Sequence, residues 1–270
     1  MYEFDAATQL ESLGPGLHMG TIQDGWDIAG VPNGGYALSL ATRAMLAEVG
    51  KPDPLTVTAH YLGPLRAGPV EVTVEVFKQG RRYTSAQASI RQAGREAMRV
   101  LGTFCDLDAA EGPALVDASP PDLPPPEACT GPNPDQLVSA PPFVDKVESR
   151  LRPEHAGWAM GRPHGVAELE GWVRFTDGRT ADTASLPLFA DALPPAVFNG
   201  NVPIGWVPTL ELTVHVRGRP RPGWLAARVR SRFVFGGYLE EDVELWSGEH
   251  LVAQSRQLAL APAVAGDLRP

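Results

Sequence analysis

Cysteine is scarce: Cys105 and Cys129 are the only two in 270 residues. Two cysteines make neither a disulfide framework nor a cysteine-based zinc site, and redox chemistry is not indicated. Basic charge is also short, with 23 Lys and Arg against 32 Asp and Glu, a net charge of -9. A surface of that sign repels phosphate backbones, which excludes nucleic acid as the expected partner. No apolar run approaches membrane-spanning length, and the acidic start Met1-Tyr2-Glu3-Phe4-Asp5 is unlike a secretory leader. The expectation is a cytoplasmic protein without a membrane partner. The six histidines show no paired ligand spacing, so no metal site is expected. What is present, 43% hydrophobic and 20% charged positions, suffices for one large core or two smaller ones.

The chain is internally repetitive. Leu55-Thr56-Val57-Thr58-Ala59-His60 reads against Leu210-Glu211-Leu212-Thr213-Val214-His215, an offset of 155 (215 minus 60). At the same offset Gly68 falls on Gly223 and Tyr83 on Tyr238. One gap then sets Arg95-Glu96-Ala97-Met98-Arg99-Val100 against Glu249-His250-Leu251-Val252-Ala253-Gln254. Upstream, Asp24-Gly25-Trp26 faces Glu170-Gly171-Trp172 at offset 146 (172 minus 26).

Each copy reads as a strand, a helix and a run of strands. In the first, Pro32-Asn33-Gly34-Gly35 punctuates the chain before Tyr36 to Val49, where Leu38, Ala41, Met45 and Val49 recur at helical spacing and Gly50 supplies a stop. Leu55 to Tyr61, Val70 to Lys78, Ser85 to Gln92 and Ala97 to Cys105 follow as short strands separated by glycine-bearing turns. The second copy offers a helix from Ala184 to Phe198, interrupted or ended by Pro194-Pro195. Its strands are Glu211 to Val216, Leu225 to Phe235, Asp242 to Trp246 and Leu251 to Leu260. The expected fold is α+β: a tandem hotdog, each half an antiparallel sheet wrapped around a long helix. Residues 1–106 and 164–270 form the halves. Residues 107–163, broken by Pro120-Pro121, Pro124-Pro125-Pro126 and Pro141-Pro142, form a connector, with a short helical stretch expected from Val144 to Leu151.

This pattern resembles the type II acyl-CoA thioesterases, single chains with two hotdog units. The resemblance covers nearly everything but the connector. It lies in Asn33-Gly34-Gly35-Tyr36 and His60-Tyr61-Leu62-Gly63-Pro64-Leu65-Arg66-Ala67-Gly68 of the first half. In the second half it lies in Leu188-Phe189-Ala190-Asp191, Val207-Pro208-Thr209-Leu210-Glu211 and Leu251-Val252-Ala253-Gln254-Ser255-Arg256-Gln257. The resemblance implies an acyl-CoA substrate with no separate cofactor, assembly into homo-oligomers, and a water activated by Asp191, Thr209 and Gln257. Pro194-Pro195, following Asp191 closely, is a departure that could displace its carboxylate.

The chemistry is coherent. A thioester carbonyl is electrophilic enough for direct attack by water, so no covalent nucleophile is needed. An aspartate on an apolar helix is partly desolvated, which raises its pKa toward the range of a general base. Uncharged Thr209 and Gln257 can orient the water without competing for its proton. Backbone N–H groups of Asn33, Gly34 and Gly35 at a helix start are candidates for the developing oxyanion. Arg217, Arg219 and Arg221 open a stretch reaching Arg232 that contains no acid, a candidate for coenzyme A phosphates.

The bland alternatives stand beside these. Asp191 alone could be a buried structural acid, Thr209 could serve its strand, and Gln254 rivals Gln257 on the opposite strand face. Gly34-Gly35 serves a turn in either case, and the arginines could form a solvated strand face. Repetition of His60 as His215 suggests packing. Two other functions compete: a non-catalytic acyl-CoA-binding protein, and a hotdog hydratase or dehydratase, which would want a histidine that neither helix contains.

Overall fold

A computed structural model describes residues 1–131, 141–203 and 205–262. The chain opens with a helical turn, α1 (Glu3–Ala7), and strands β1 (Glu11–Gly14) and β2 (Leu17–Ile22). A small ribbon, β3 (Asp27–Ile28) with β4 (Val31–Pro32), leads into α2 (Gly34–Val49). Next come β5 (Asp53–Tyr61), β6 (Gly68–Lys78), β7 (Thr84–Gln92) and β8 (Arg95–Cys105). The connector contributes β9 (Val147–Leu151), and β10 (Glu168–Phe175) follows. The second half continues with α3 (Leu186–Ala190), β11 (Thr209–Val216), β12 (Leu225–Arg230), β13 (Val234–Phe235), β14 (Tyr238–Ser247) and β15 (His250–Leu260).

Thirteen of these strands make one antiparallel sheet, in the order β1-β2-β6-β7-β8-β5-β11-β15-β14-β12-β10-β9, with β13 branching from β14. The halves meet where β5 pairs with β11, Thr58 opposite Thr213 and their hydroxyls 2.9 Å apart. Thr58 and Thr213 are separated by the repeat offset, so a pseudo-twofold axis passes between them. The repeat extends to irregularities. Bulges at Pro54/Thr56 and Ile90/Arg91 recur 155 residues later at Thr209/Glu211 and Leu245/Trp246.

Register corrects two details of the sequence alignment. Gln92 pairs with Arg95 and Ser247 with His250, so Arg95 corresponds to His250 at offset 155 and no gap intervenes. Upstream, Gly20 pairs with Val70, and Val173 pairs with Leu225, the counterpart of Val70. Gly20 therefore corresponds to Val173, offset 153 (173 minus 20), and the Gly-Trp match at 146 is coincidental. A shared dipeptide is weak beside a hydrogen-bonded ladder, in which a one-residue slip turns every side chain to the other face.

Helix α2 is capped as its sequence suggests: Asn33 Oδ1 accepts from Tyr36 N at 2.8 Å, and Gly50 closes the helix with φ 62°. Tyr36, Leu38, Leu40, Ala41, Ala44 and Met45 are all buried in the core. The second helix is much shorter than the expected Ala184 to Phe198. It spans five residues with Pro187 in its first turn, ends at Asp191 in a non-helical conformation, and is followed by a 3-10 turn over Ala196–Asn199. A proline cannot continue a helix without losing a hydrogen bond and meeting the preceding turn, so Pro194-Pro195 forbids extension.

The expected helix at Val144 to Leu151 is instead a 3-10 turn, Pro142–Asp145, and the edge strand β9. Alternating Val147, Ser149 and Leu151 suits a strand beside β10. The connector is also tied down by the Trp172 indole N–H donating to Pro124 O at 2.8 Å and by Glu170 N donating to His155 Nδ1 at 3.0 Å. Among the described residues, no helix is long and apolar enough to cross a membrane.

Candidate active site

Helix α3 lies across β11, β14 and β15 and packs against the start of α2. The approach is close because Gly35 has no side chain: a methyl group there would sit 2.3 Å from Pro187 O and 2.8 Å from Asp191 Cβ. The crossing delivers Asp191 to the N-terminus of the helix in the other half. Its Oδ2 accepts from Gly35 N at 2.9 Å and from Asn33 Nδ2 at 3.0 Å, and the nearby Gly34 N–H also favours the charged form. Asn33 Nδ2 also holds Asp191 O at 2.7 Å.

Two opposed effects act on this carboxylate. Burial disfavours its charge, while the donors at the positive end of α2 favour it. Burial prevails, and the pKa is pushed up to about 6. Asp191 is therefore largely ionised at pH 7 yet basic enough to take a proton. Pro194-Pro195 does not remove it from the core; α3 ends early enough to present the acid from a helix C-cap.

Thr209 and Gln257 lie on the sheet face beneath α3. Thr209 pairs with Ala259, two residues from the buried Gln257, which makes the two diagonal neighbours on one face. Gln254 is exposed on the opposite face. Gln257 also pairs with Glu241 of β14, a buried acid absent from the sequence reading. Glu241 Oε2 accepts from Ala196 N at 2.7 Å, and burial raises its pKa to about 8, with further upward pushes from Asp191, Glu240 and Asp242. At neutral pH it is mostly protonated. Its sequence signal was slight: in Leu239-Glu240-Glu241-Asp242 only strand alternation separates the inward acid from its outward neighbours.

Tyr61, at the end of β5, completes the surroundings. A methyl group on Gly34 would lie 3.0 Å from Tyr61 Oη and 3.2 Å from Asp191 Oδ2. The Tyr61 hydroxyl is buried without a hydrogen-bond partner among the described residues, and burial, then the charges of Asp191 and Glu211, raise its pKa well above the phenolic value.

The predicted residues divide into two places. Asn33, Gly34, Gly35 and Asp191 are in direct contact, above the face that carries Thr209 and Gln257. Of the backbone N–H groups expected to meet an oxyanion, that of Gly35 is directed at Asp191 and that of Asn33 at Trp26 O. Arg217, Arg219 and Arg221 line a separate cavity of about 650 Å³ beyond the other end of β11, together with Ser247, His250 and Gln254. Arg219 is paired with Asp53 and Asp108, and Arg221 Nη2 is 2.8 Å from His250 Nε2. Further along, Arg228, Arg230 and Arg232 pair with Glu170, Glu168 and Asp242. That part of the basic stretch is a neutralised strand face. His60 and His215 are exposed on the outer face of the sheet.

A double hotdog with a buried acid presented across its two halves defines the structural class. The chain belongs to the acyl-CoA thioesterase family: its N-terminal domain model matches residues 22–105 and its C-terminal domain model residues 117–261. A thioesterase II candidate from Thermobifida fusca shares 33% identity, superimposes with a TM-score of 0.88, and is covered over 98% of its chain and 97% of this one. A hotdog-fold protein of unknown function from Alicyclobacillus acidocaldarius, 21% identical, gives a TM-score of 0.86 over 98% of this chain and 100% of its own. Among curated proteins, an uncharacterized protein from Mycobacterium tuberculosis is 27% identical over 90% of both chains.

Proposed function

We propose that the chain hydrolyses the thioester of an acyl-CoA to the free acid and coenzyme A, with Asp191 as general base and Thr209 and Gln257 orienting the water. The observation that carries this reading is the Asp191 carboxylate, half-buried where two helices cross and with its pKa raised to about 6. Water placed between this base and a thioester carbonyl loses its proton as it attacks. Asp191 then returns that proton to the departing thiolate. Asn33 and Gly35 hold the base by its Oδ2 oxygen. Family membership supports the substrate class and the reaction type.

The nucleotide phosphates are assigned to the cavity at Arg217, Arg219 and Arg221. It lies about 23 Å from the Tyr61 end of β5 by strand rise, a span for an extended pantetheine arm. The same reading carries cytoplasmic action and homo-oligomeric assembly, the latter checked by light scattering. The deciding experiment is release of free thiol from a panel of acyl-CoAs by the purified protein. Turnover of at least one, lost in Asp191→Asn, is expected; binding of acyl-CoA with no thiol release would reject hydrolysis. Alanine in place of Arg217 should raise KM and leave kcat nearly unchanged, and an unaltered KM would remove the phosphate assignment.

A further inference from the structure

If Asp191 is the base, the thioester oxygen still needs a donor as the carbonyl carbon becomes tetrahedral. The Gly35 N–H and the Asn33 side-chain amide are occupied by Asp191, and the Asn33 N–H by Trp26 O. We infer that Tyr61 is a further catalytic residue, whose hydroxyl donates the hydrogen bond that stabilises the oxyanion of the tetrahedral intermediate. The inference rests on the hydrolase reading and adds a participant to it.

Three observations carry it. Tyr61 Oη and Asp191 Oδ2 both lie within 3.2 Å of the Cβ position that Gly34 leaves vacant, so the two oxygens are no more than about 6 Å apart. A group placed beside Gly34 would meet both oxygens. The hydroxyl is buried with no partner among the described residues, an arrangement that phenylalanine would avoid. Finally, the strand position itself does not demand tyrosine, because the counterpart of Tyr61 at offset 155 is Val216, buried in the core. The hydroxyl thus belongs to this site and not to the fold.

The step balances as follows. Water oxygen bonds to the thioester carbon, the C=O π pair moves onto oxygen, and the water proton passes to Asp191. The oxyanion accepts a hydrogen bond from Tyr61, which keeps its proton because burial and the neighbouring acids hold its pKa well above the ordinary value. On collapse the C=O bond reforms, the C–S bond breaks, and the coenzyme A thiolate takes the proton from Asp191.

The test is Tyr61→Phe, measured beside wild type and Asp191→Asn with one substrate that wild type hydrolyses. Loss of one oxyanion donor lowers kcat about 10²- to 10³-fold with little change in KM. A second measurement needs no turnover. An acyl-CoA ketone analogue, with methylene in place of sulfur, should show its carbonyl stretch shifted to lower frequency when bound to wild type. The shift should disappear in Tyr61→Phe bound at saturation. Near-normal kcat in Tyr61→Phe, or an identical carbonyl frequency in both proteins, overturns the inference. Either outcome leaves the hydrolase reading intact if Asp191→Asn is inactive. A wild type inert toward every acyl-CoA would overturn the reading itself.

Discussion

The two halves share a strand scaffold down to the positions of two bulges, yet their inner faces carry different chemistry. Gln257 of β15 corresponds to Gly102 of β8, Glu241 of β14 to Ala86 of β7, Thr209 to Pro54, and Tyr61 to Val216. The helices differ in the complementary sense. Long α2 fills its half, and a side chain at Gly102 would strike Met45 Cε at 3.0 Å and the Phe104 ring at 2.8 Å. Short α3 stops at Asp191 and leaves its sheet face to polar heads. One half carries apolar or small residues where the other carries polar ones. Two identical subunits could not divide the work in this way, because symmetry would impose the same residue at both ends of the axis. Fusion removes that constraint, so the polar cluster around Asp191 and Gln257 occurs once among the described residues.

The asymmetry can be tested most severely at Asp191. Asp191→Asn keeps the shape and abolishes the base, so kcat should fall about 10²- to 10⁴-fold with substrate affinity retained. In wild type, kcat/KM should drop tenfold per pH unit below about 6, where the carboxylate takes up its proton. A flat profile from pH 5 to 7 would place the chemistry elsewhere.

Next is the joint between the halves. Gly35→Ala gains about 1 kcal/mol of helix propensity, but its methyl group would stand 2.3 Å from Pro187 O, and overpacking against backbone costs about 1–3 kcal/mol or more. The expected result is a lower Tm and roughly 100-fold lower kcat/KM, since a base displaced by about 1 Å loses its geometry. Unchanged kinetics would mean that α2 does not position Asp191.

Glu241→Gln sharpens the contrast between reactive and packing halves through stability. The folded-state pKa of Glu241 is raised from about 4.5 to about 8, so its contribution is fully present below 4.5 and is lost as pH rises toward 8. Wild type should become less stable over that window, and the glutamine variant should show a flatter dependence and match or exceed it above pH 8. Denaturant melts at pH 5 and 8.5 decide this. The smallest effect is at the seam: Thr58→Val removes the hydroxyl pair with Thr213, worth about 1 kcal/mol, and should leave kinetics unaltered.

How much of this was legible beforehand depended on the kind of signal. The offset between His60 and His215 yielded the two halves, and strand patterning yielded most strand limits, while the β5–β11 seam came from the ladder itself. Asp191, Thr209 and Gln257 were accessible through family resemblance. Glu241 and the role proposed for Tyr61 were not, because each is defined by what lies across the sheet. The length of α3 was misjudged for a related reason: Pro194-Pro195 marks a limit to a helix without saying how far before it the helix stops. Asn33, Gly34 and Gly35 were expected to meet an oxyanion, and no sequence pattern reveals that a carboxylate from 156 residues away takes the Gly35 N–H.

That last contact joins substrate binding to the docking of the halves. The base belongs to one half and its anchoring donors to the other, so a ligand that needs Asp191 in place binds better when the halves are docked. Linkage makes the effect mutual: saturating ligand should hold them together by RT ln(1 + [L]/Kd), about 2.7 kcal/mol at one hundred times Kd. A substrate of this chain would then act as a clasp as well as a reactant.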